Sequence, residues 1–409
     1  MFWSASLASV GGSQLLFLAG GKLVFDLSGS EFLLGLSAAV FGIGTIVINF
    51  LGGVIADRIE KKILLVITSF AMTIVLLILA LIDAFDFETV FIVIILTSVL
   101  GLISGFDWPA RSSIFTQFID DKSQMISAVS LNAILWQGMR ILAPGFGGFI
   151  IAFYGTDTVF FISSIGFFIM GIAMIVIKPN KVIRKKEEKK SIFKDTKEGI
   201  DFIYNNKLFR VIIFSNYITS MIGISYLQLL PAFSDSYSKT SFGNLSAQIL
   251  GVLLSCAGVG AVFGTAITSR LKRNINLGKL GLSANIFSVI VLLLFGITNF
   301  FILEENIYAN PWISYNLILS IIFIFFTGTF NSIFMVCSMS LLHLNVPENL
   351  RGRVMGIHTI TFSLMSTGAL FLGIMAEFLT SSVSVMIAAF ILIIINSLIF
   401  YKNPDIRKI

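Results

Sequence analysis

Apolar stretches of about 20–30 residues, separated by short polar breaks, run from one end of the chain to the other. Twelve can be marked, at 2–25, 31–56, 63–82, 89–110, 124–153, 156–178, 208–232, 245–269, 278–303, 312–343, 354–378 and 381–401. About 20 apolar residues wound as a helix cross the hydrocarbon core of a bilayer. Only a structure that satisfies its own backbone hydrogen bonds tolerates that environment, so each stretch predicts a transmembrane α-helix. Several exceed the minimum length, which permits tilt. The longest polar stretch, 179–207, separates six spans from six. The pattern therefore predicts an all-α membrane protein with an N-terminal six-helix bundle (1–178), a cytoplasmic linker (179–207) and a C-terminal six-helix bundle (208–409). In the linker, Ile192, Ile200 and Ile203 recur at helical spacing among charged residues, which predicts an amphipathic helix on the inner membrane surface.

Composition agrees. The 409 residues are 56% hydrophobic and 12% charged, and twelve spans with short loops leave no room for a separate soluble domain. Charge then orients the spans. All of the 28 lysines and arginines except Lys22, Arg140 and Lys239 fall in alternate loops, in the linker or in the C-terminal tail. The opposite loops carry Asp83, Asp86, Glu88, Asp157, Asp235, Glu304 and Glu305. By the positive-inside bias both termini are cytoplasmic and the protein is a multi-pass component of the cell membrane, the inner one where there are two. The same bias explains the net charge of +6 and removes nucleic acid as a partner. Cys256 and Cys337 lie inside spans and form no disulfide framework or metal spacing. The first stretch lacks a basic leader and runs on into a second, so it reads as helix 1 rather than a cleaved signal, with a short native tail expected before it.

A faint repeat links the halves. Gly52–Leu65 aligns with Gly264–Leu277, pairing Arg58 with Arg270 and Lys61 with Arg273. Two similar six-helix halves are a recurrent build of secondary transporters, with the substrate near mid-membrane between them. At the end of span 2, Gly53 is followed by Asp57, Arg58, Lys61 and Lys62. A carboxylate beside fixed cations at a helix junction can pair in one conformation and separate in another, as a latch.

This segment resembles the loop signature of the major facilitator superfamily: glycine, three residues, aspartate-arginine, then a basic pair. Glu60 stands where that signature usually has glycine, and the second-half copy has Ser269 in place of the acid. The resemblance covers essentially the whole chain. Phe106-Asp107-Trp108-Pro109-Ala110-Arg111, Lys197-Glu198-Gly199-Ile200 and Val346-Pro347-Glu348-Asn349-Leu350-Arg351-Gly352-Arg353-Val354-Met355-Gly356 are similar to the branch that holds the enterobactin exporter and macrolide efflux proteins. It implies that Gly53, Asp57, Arg58, Lys61 and Lys62 gate the cytoplasmic side. In span 5, Pro144, Gly147 and Gly148 match part of a glycine-proline motif common in antiporters of the superfamily, with Met139 and Ala143 at two of its glycine positions.

Charges at membrane depth are the next candidates, because an arginine at mid-helix costs about 2.5–3.5 kcal/mol on insertion scales and is kept for a reason. Arg140 is the deepest cation and is a candidate for substrate or for a gating carboxylate. Asp107 and Arg111, one turn apart, read as part of the gating network, and Lys22 with Asp26 as an outer-edge ion pair. Gln14, Asp26, Asn49, Asn132, Gln137, Asn216, Gln228 and Asn331 are the remaining substrate or coupling candidates. His343 and His358 do not make a metal site.

No phosphate-cradling Gly-x-x-x-x-Gly-Lys-Ser/Thr loop is present, so coupling to ATP is not expected. The chain does not read as an enzyme and calls for no cofactor or metal. Proton entry through 100 mV releases about 2.3 kcal/mol, enough to concentrate a neutral solute some fiftyfold. The expectation is a monomeric secondary active transporter that exports an amphipathic drug- or siderophore-like molecule by alternating access, coupled to protons and surrounded by membrane lipid. The alternatives are a lysophospholipid or lipid transporter of the same fold, and a non-transporting membrane scaffold or sensor.

Overall fold

The computed structural model describes residues 1–56, 59–114, 125–177, 192–237, 245–270, 275–301, 312, 314–348 and 350–409. Among them the first half comprises α1 (Phe2–Ser28), α2 (Glu31–Ala56), α3 (Lys61–Ala84), α4 (Val90–Ile114) and α5 (Met125–Val176). The linker forms α6 (Ile192–Asn205). The second half follows as α7 (Lys207–Ile218), α8 (Leu230–Ser236), α9 (Leu245–Ser269), α10 (Leu277–Phe300), α11 (Tyr315–Asn345), α12 (Arg351–Leu379) and α13 (Ser381–Lys402).

Eleven helical runs in the described residues are long and apolar enough to cross a membrane. α5 contains two of the twelve expected spans, broken at Gly155, where φ is +88°. Only glycine enters that region without a Cβ penalty, so the chain reverses there between spans 5 and 6. α1 ends on another left-handed glycine, Gly29, whose N–H donates to Phe25 O at 2.7 Å and satisfies a terminal carbonyl. Apolar side chains left uncovered are arranged for lipid: Ile63, Ile67, Ile74, Ile78 and Leu81 form an exposed stripe along α3, which water would not tolerate but hydrocarbon does. The protein is thus a multi-pass membrane protein of twelve spans.

Two compact units result, residues 1–184 with 228–255, and residues 185–227 with 256–409. Within the first, α2 and α4 approach closely because Gly101 has no side chain: a Cβ there would stand 2.3 Å from the Phe41 carbonyl oxygen. Within the second, Gly264 of α9 plays the same part, its absent Cβ lying 2.3 Å from Thr329 O of α11. Small residues at helix contacts are how membrane helices gain packing where lipid offers no hydrophobic drive.

One expectation needs correction. Span 7 is not one helix. After α7 the backbone widens into a π turn (Thr219–Ile224), tightens into a 3₁₀ turn (Ser225–Leu229) and resumes as α8, ending at Ser236 rather than 232. Pro231, in the first turn of α8, supplies no N–H for a continuous ladder, and Ser225 Oγ takes up the slack, donating to Met221 O at 2.6 Å and Met365 O at 2.9 Å. The linker helix α6 docks on the second unit through Gly199, Phe202 and Ile203. Gly199 is buried against Ile357 and Arg353, Phe202 and Ile203 pack on the Phe209–Leu342 cluster, and Ile200 is 52% exposed. Glycine lets the backbone of α6 come close to α12.

Candidate functional site

Asp107 and Arg111 lie on one face of α4, four residues apart, and both are buried. Arg111 Nε donates to Asp107 Oδ2 at 3.0 Å and its terminal nitrogen to Oδ1 at 3.3 Å. The other terminal nitrogen donates to Ser9 Oγ of α1 at 2.7 Å, and Thr68 Oγ1 of α3 donates to Asp107 Oδ1 at 3.1 Å. One ion pair therefore ties three spans. Each buried charge has an opposite charge and a neutral hydrogen-bond partner, the condition under which such a pair survives desolvation.

The described part of the loop region lies at the same end of the first unit, where Ile59 packs on the cluster that holds Ala110 and Ile114. Gly53 is in the last turns of α2, while Asp57 and Arg58 lie outside the described residues. Lys61 opens α3, and Lys62 Nζ donates to Ile175 O at 3.1 Å, a cation on the C-terminal carbonyls of span 6. Lys22 is 3% exposed and pairs with Asp26 one turn on, as the spacing predicts.

Span 5 packs through its motif. A Cβ at Gly147 would meet Leu15 and Leu18 of α1 at 2.5 and 2.6 Å, and one at Gly148 would stand 2.4 Å from Ala247 O of α9. Pro144 contributes its carbonyl, which would lie 2.5 Å from a Cβ at Gly251. Arg140, one turn earlier, is exposed.

The polar candidates separate. Gln14, Asn132, Gln137, Gln228 and Asn331 are half-buried, and the side chain of Asn49 lies outside the described set. Asn216 is buried and tied, its Nδ2 donating to Ile212 O at 2.8 Å and to Ser338 Oγ of α11. Asn285 has no signal in the sequence to distinguish it from other asparagines, yet its Nδ2 donates to Thr219 Oγ1 at 2.9 Å, at the start of the π turn. Ser9 and Thr68 are likewise absent from the sequence reading. Among the described residues no cluster of three or more His, Cys, Asp or Glu side chains has the arrangement of a metal site.

Comparison with known proteins follows the same outline. A family model described as Major Facilitator Superfamily matches residues 2–368. The chain is similar to the staphyloferrin A transporter of Staphylococcus aureus, 23% identical over 81% of this chain and 78% of that protein. It is also similar to the multidrug resistance protein MdtG of Klebsiella pneumoniae, 28% identical over 60% of this chain and 56% of that one. Among solved structures, the nucleoside transporter NupG superposes with a TM-score of 0.76 at 14% identity, covering 98% of both chains, a likeness of fold.

Proposed function

This chain belongs to the major facilitator superfamily of transporters, and from that premise we propose that it exports an amphipathic, siderophore- or drug-like molecule by alternating access, driven by proton entry. The observation that carries the proposal is the buried Asp107–Arg111 pair with its ties to Ser9 and Thr68. Charges inside a membrane bundle mark functional machinery. Here the pair holds spans 1, 3 and 4 together next to the basic loop that begins α3. In this reading it is the fixed wall of a cytoplasmic gate, and Asp57 with Arg58, Lys61 and Lys62 is the latch that closes on it. The glycine face of span 5 is the close-packed seam, and Arg140, with the half-buried amides, meets cargo or a gating carboxylate. The cargo class draws on the two relatives named for staphyloferrin A and for multidrug resistance.

Everted membrane vesicles from cells with and without the gene test it. Respiration-driven accumulation of an amphipathic dye, present only with the gene and abolished by an uncoupler, is the expected result. Accumulation indifferent to the uncoupler would overturn the coupling, and none across a panel of amphipathic dyes and siderophores would overturn export.

Two substitutions examine the parts. Asp57→Asn retains expression and lowers flux about tenfold or more, because a neutral amide forfeits at least the ~1.4 kcal/mol that a charge-assisted latch supplies; unchanged flux removes Asp57 from the gate. Arg140→Ala abolishes flux while Arg140→Lys keeps part of it, since lysine retains the charge without the planar fork. Equal flux in all three proteins makes Arg140 a structural residue only.

A further inference from the structure

α13 stops at Lys402 for a local reason. Asn403 Nδ2 donates to Ile399 O at 2.8 Å, and Pro404 brings no N–H to continue the ladder. The chain then folds back as one 3₁₀ turn, Ile406–Lys408. Lys408 N–H donates to Asp405 O at 3.2 Å, and Ile409 N–H to Ile406 O at 3.3 Å. Asp405 and Lys408 are exposed, but Ile406 between them is 2% exposed.

The start of α10 receives that residue. Gly278, in its first turn, is buried, and a Cβ there would stand 1.8 Å from Ile406 O. Gly278 N–H donates to Ile409 O at 2.9 Å. That amide is one of the first-turn donors that no helix satisfies internally. Asn276, the N-cap residue, makes no side-chain capping bond. At the start of α7 an asparagine does make one, Asn206 Oδ1 accepting from Leu208 N–H at 3.1 Å. Two further contacts orient the turn. Arg407 stacks over Phe400, 4.8 Å from the ring centroid, and Asp405 Oδ2 lies 3.3 Å from Lys207 Nζ of α7. Both partners of that ion pair are exposed, so it contributes little.

We infer that residues 405–409 are a clasp: they supply the N-terminal cap of α10 in trans and lock the start of span 9 to the end of span 12. The two halves of the chain fasten equivalent helices with different parts. In the repeat that aligns Leu65 with Leu277, α10 is the counterpart of α3. A side chain fastens α3, Lys62 donating to a last-turn carbonyl of span 6. The chain that follows span 12 fastens α10. The notch at Gly278 is what holds the clasp, since a backbone oxygen occupies the space that any side chain would need. Lifting the turn removes a capping bond and exposes Ile406. α10 then frays from its first turn, while its middle stays packed on α11 and α13. The inference makes no use of cargo, direction or coupling.

Hydrogen exchange of the full chain in nanodiscs, read on the peptide that begins at Asn276, tests this. Ile406→Ser is expected to speed exchange there about tenfold by unseating the turn, and Ile406→Val to keep the wild-type rate. Gly278→Ala is the sharper test. Without a clasp, alanine strengthens the helix and slows exchange. With one, its methyl group expels Ile406 O, and exchange is expected to rise by about the same tenfold. The double variant Ile406→Ser/Gly278→Ala exchanges no faster than either single variant, since each removes the same cap. Lys207→Gln stays within about twofold of wild type. Exchange in the middle of α10 is unchanged throughout. Should Gly278→Ala unfold the protein at large, Ile406→Ser against Ile406→Val still decides. Slower exchange in Gly278→Ala, an unchanged rate in Ile406→Ser, or losses that multiply in the double variant would overturn the clasp. A loss in Lys207→Gln as large as that in Ile406→Ser would place the hold in the ion pair and overturn it as well.

Discussion

Arg111→Met is expected to destabilise the protein by about 3–5 kcal/mol, the cost of leaving a buried carboxylate without its counter-charge. The prediction follows from how completely Arg111 is used. It gives two hydrogen bonds to Asp107 and one to Ser9, and methionine, although of similar length, returns none of them. Asp107 would keep only the Thr68 hydroxyl, too little for an ionised group away from water. The double variant Asp107→Leu/Arg111→Met removes both charges and leaves neutral hydroxyls on Ser9 and Thr68, each already bonded to its own helix, at Ser6 O and Leu65 O. It is expected to recover most of the lost stability, because well-packed apolar replacements of a buried pair are often neutral or better. Thermal unfolding of wild type, both single variants and the double variant forms a cycle whose coupling reads the pair directly. Additive losses would show that the two side chains do not depend on each other. Flux separates gate from girder: a double variant that is stable but does not transport places the pair in the gate, and one that transports normally removes it.

How much of this was legible beforehand depends on whether a feature is local. Spans are visible because roughly 20 apolar residues are needed wherever a helix crosses, and the reversal at Gly155 coincides with a break in that pattern. The Asp107–Arg111 pair is visible because four residues make one helical turn. Its partners are not, since Ser9 and Thr68 look like any other small polar residues until α1, α3 and α4 are placed side by side. The docking of α6 is hidden for a related reason: Gly199 lets it approach α12, a contact that no stripe of isoleucines records. His358 sits near a helix end, where a histidine ordinarily meets water. It is buried, and the elements packed on α12 include α7, the π turn and α6, neighbours that no periodicity in α12 records. The break in span 7 is the least local of all. The sequence offers Pro231, twelve residues past the start of the π turn, and nothing at the turn itself.

What makes the π turn is its neighbour, and this yields the second large effect. A Cβ at Gly368 of α12 would stand 1.6 Å from Met221 O and 2.3 Å from Ser225 Oγ. A flexible side chain could swing away from such a clash, but a carbonyl inside a helical turn moves only with its backbone. Gly368→Ala must therefore push the π turn off α12, weakening the Ser225 hydrogen bonds to Met221 O and Met365 O. Overpacking of this kind costs about 1–3 kcal/mol, and the upper end applies where backbone has to yield. Elsewhere in the same helix the sign reverses. Gly352 and Gly356 face open space, with nothing within 4 Å of an added Cβ, so Gly356→Ala is expected to stabilise by about 0.5–1 kcal/mol through helix propensity alone. The pair of substitutions is chemically identical, and only the tertiary surroundings differ. Opposite shifts in the unfolding temperature of the two variants are the expected result. Equal shifts would mean that span 7 is free to regularise, and that the π turn is a property of its own sequence rather than of the helix packed against it.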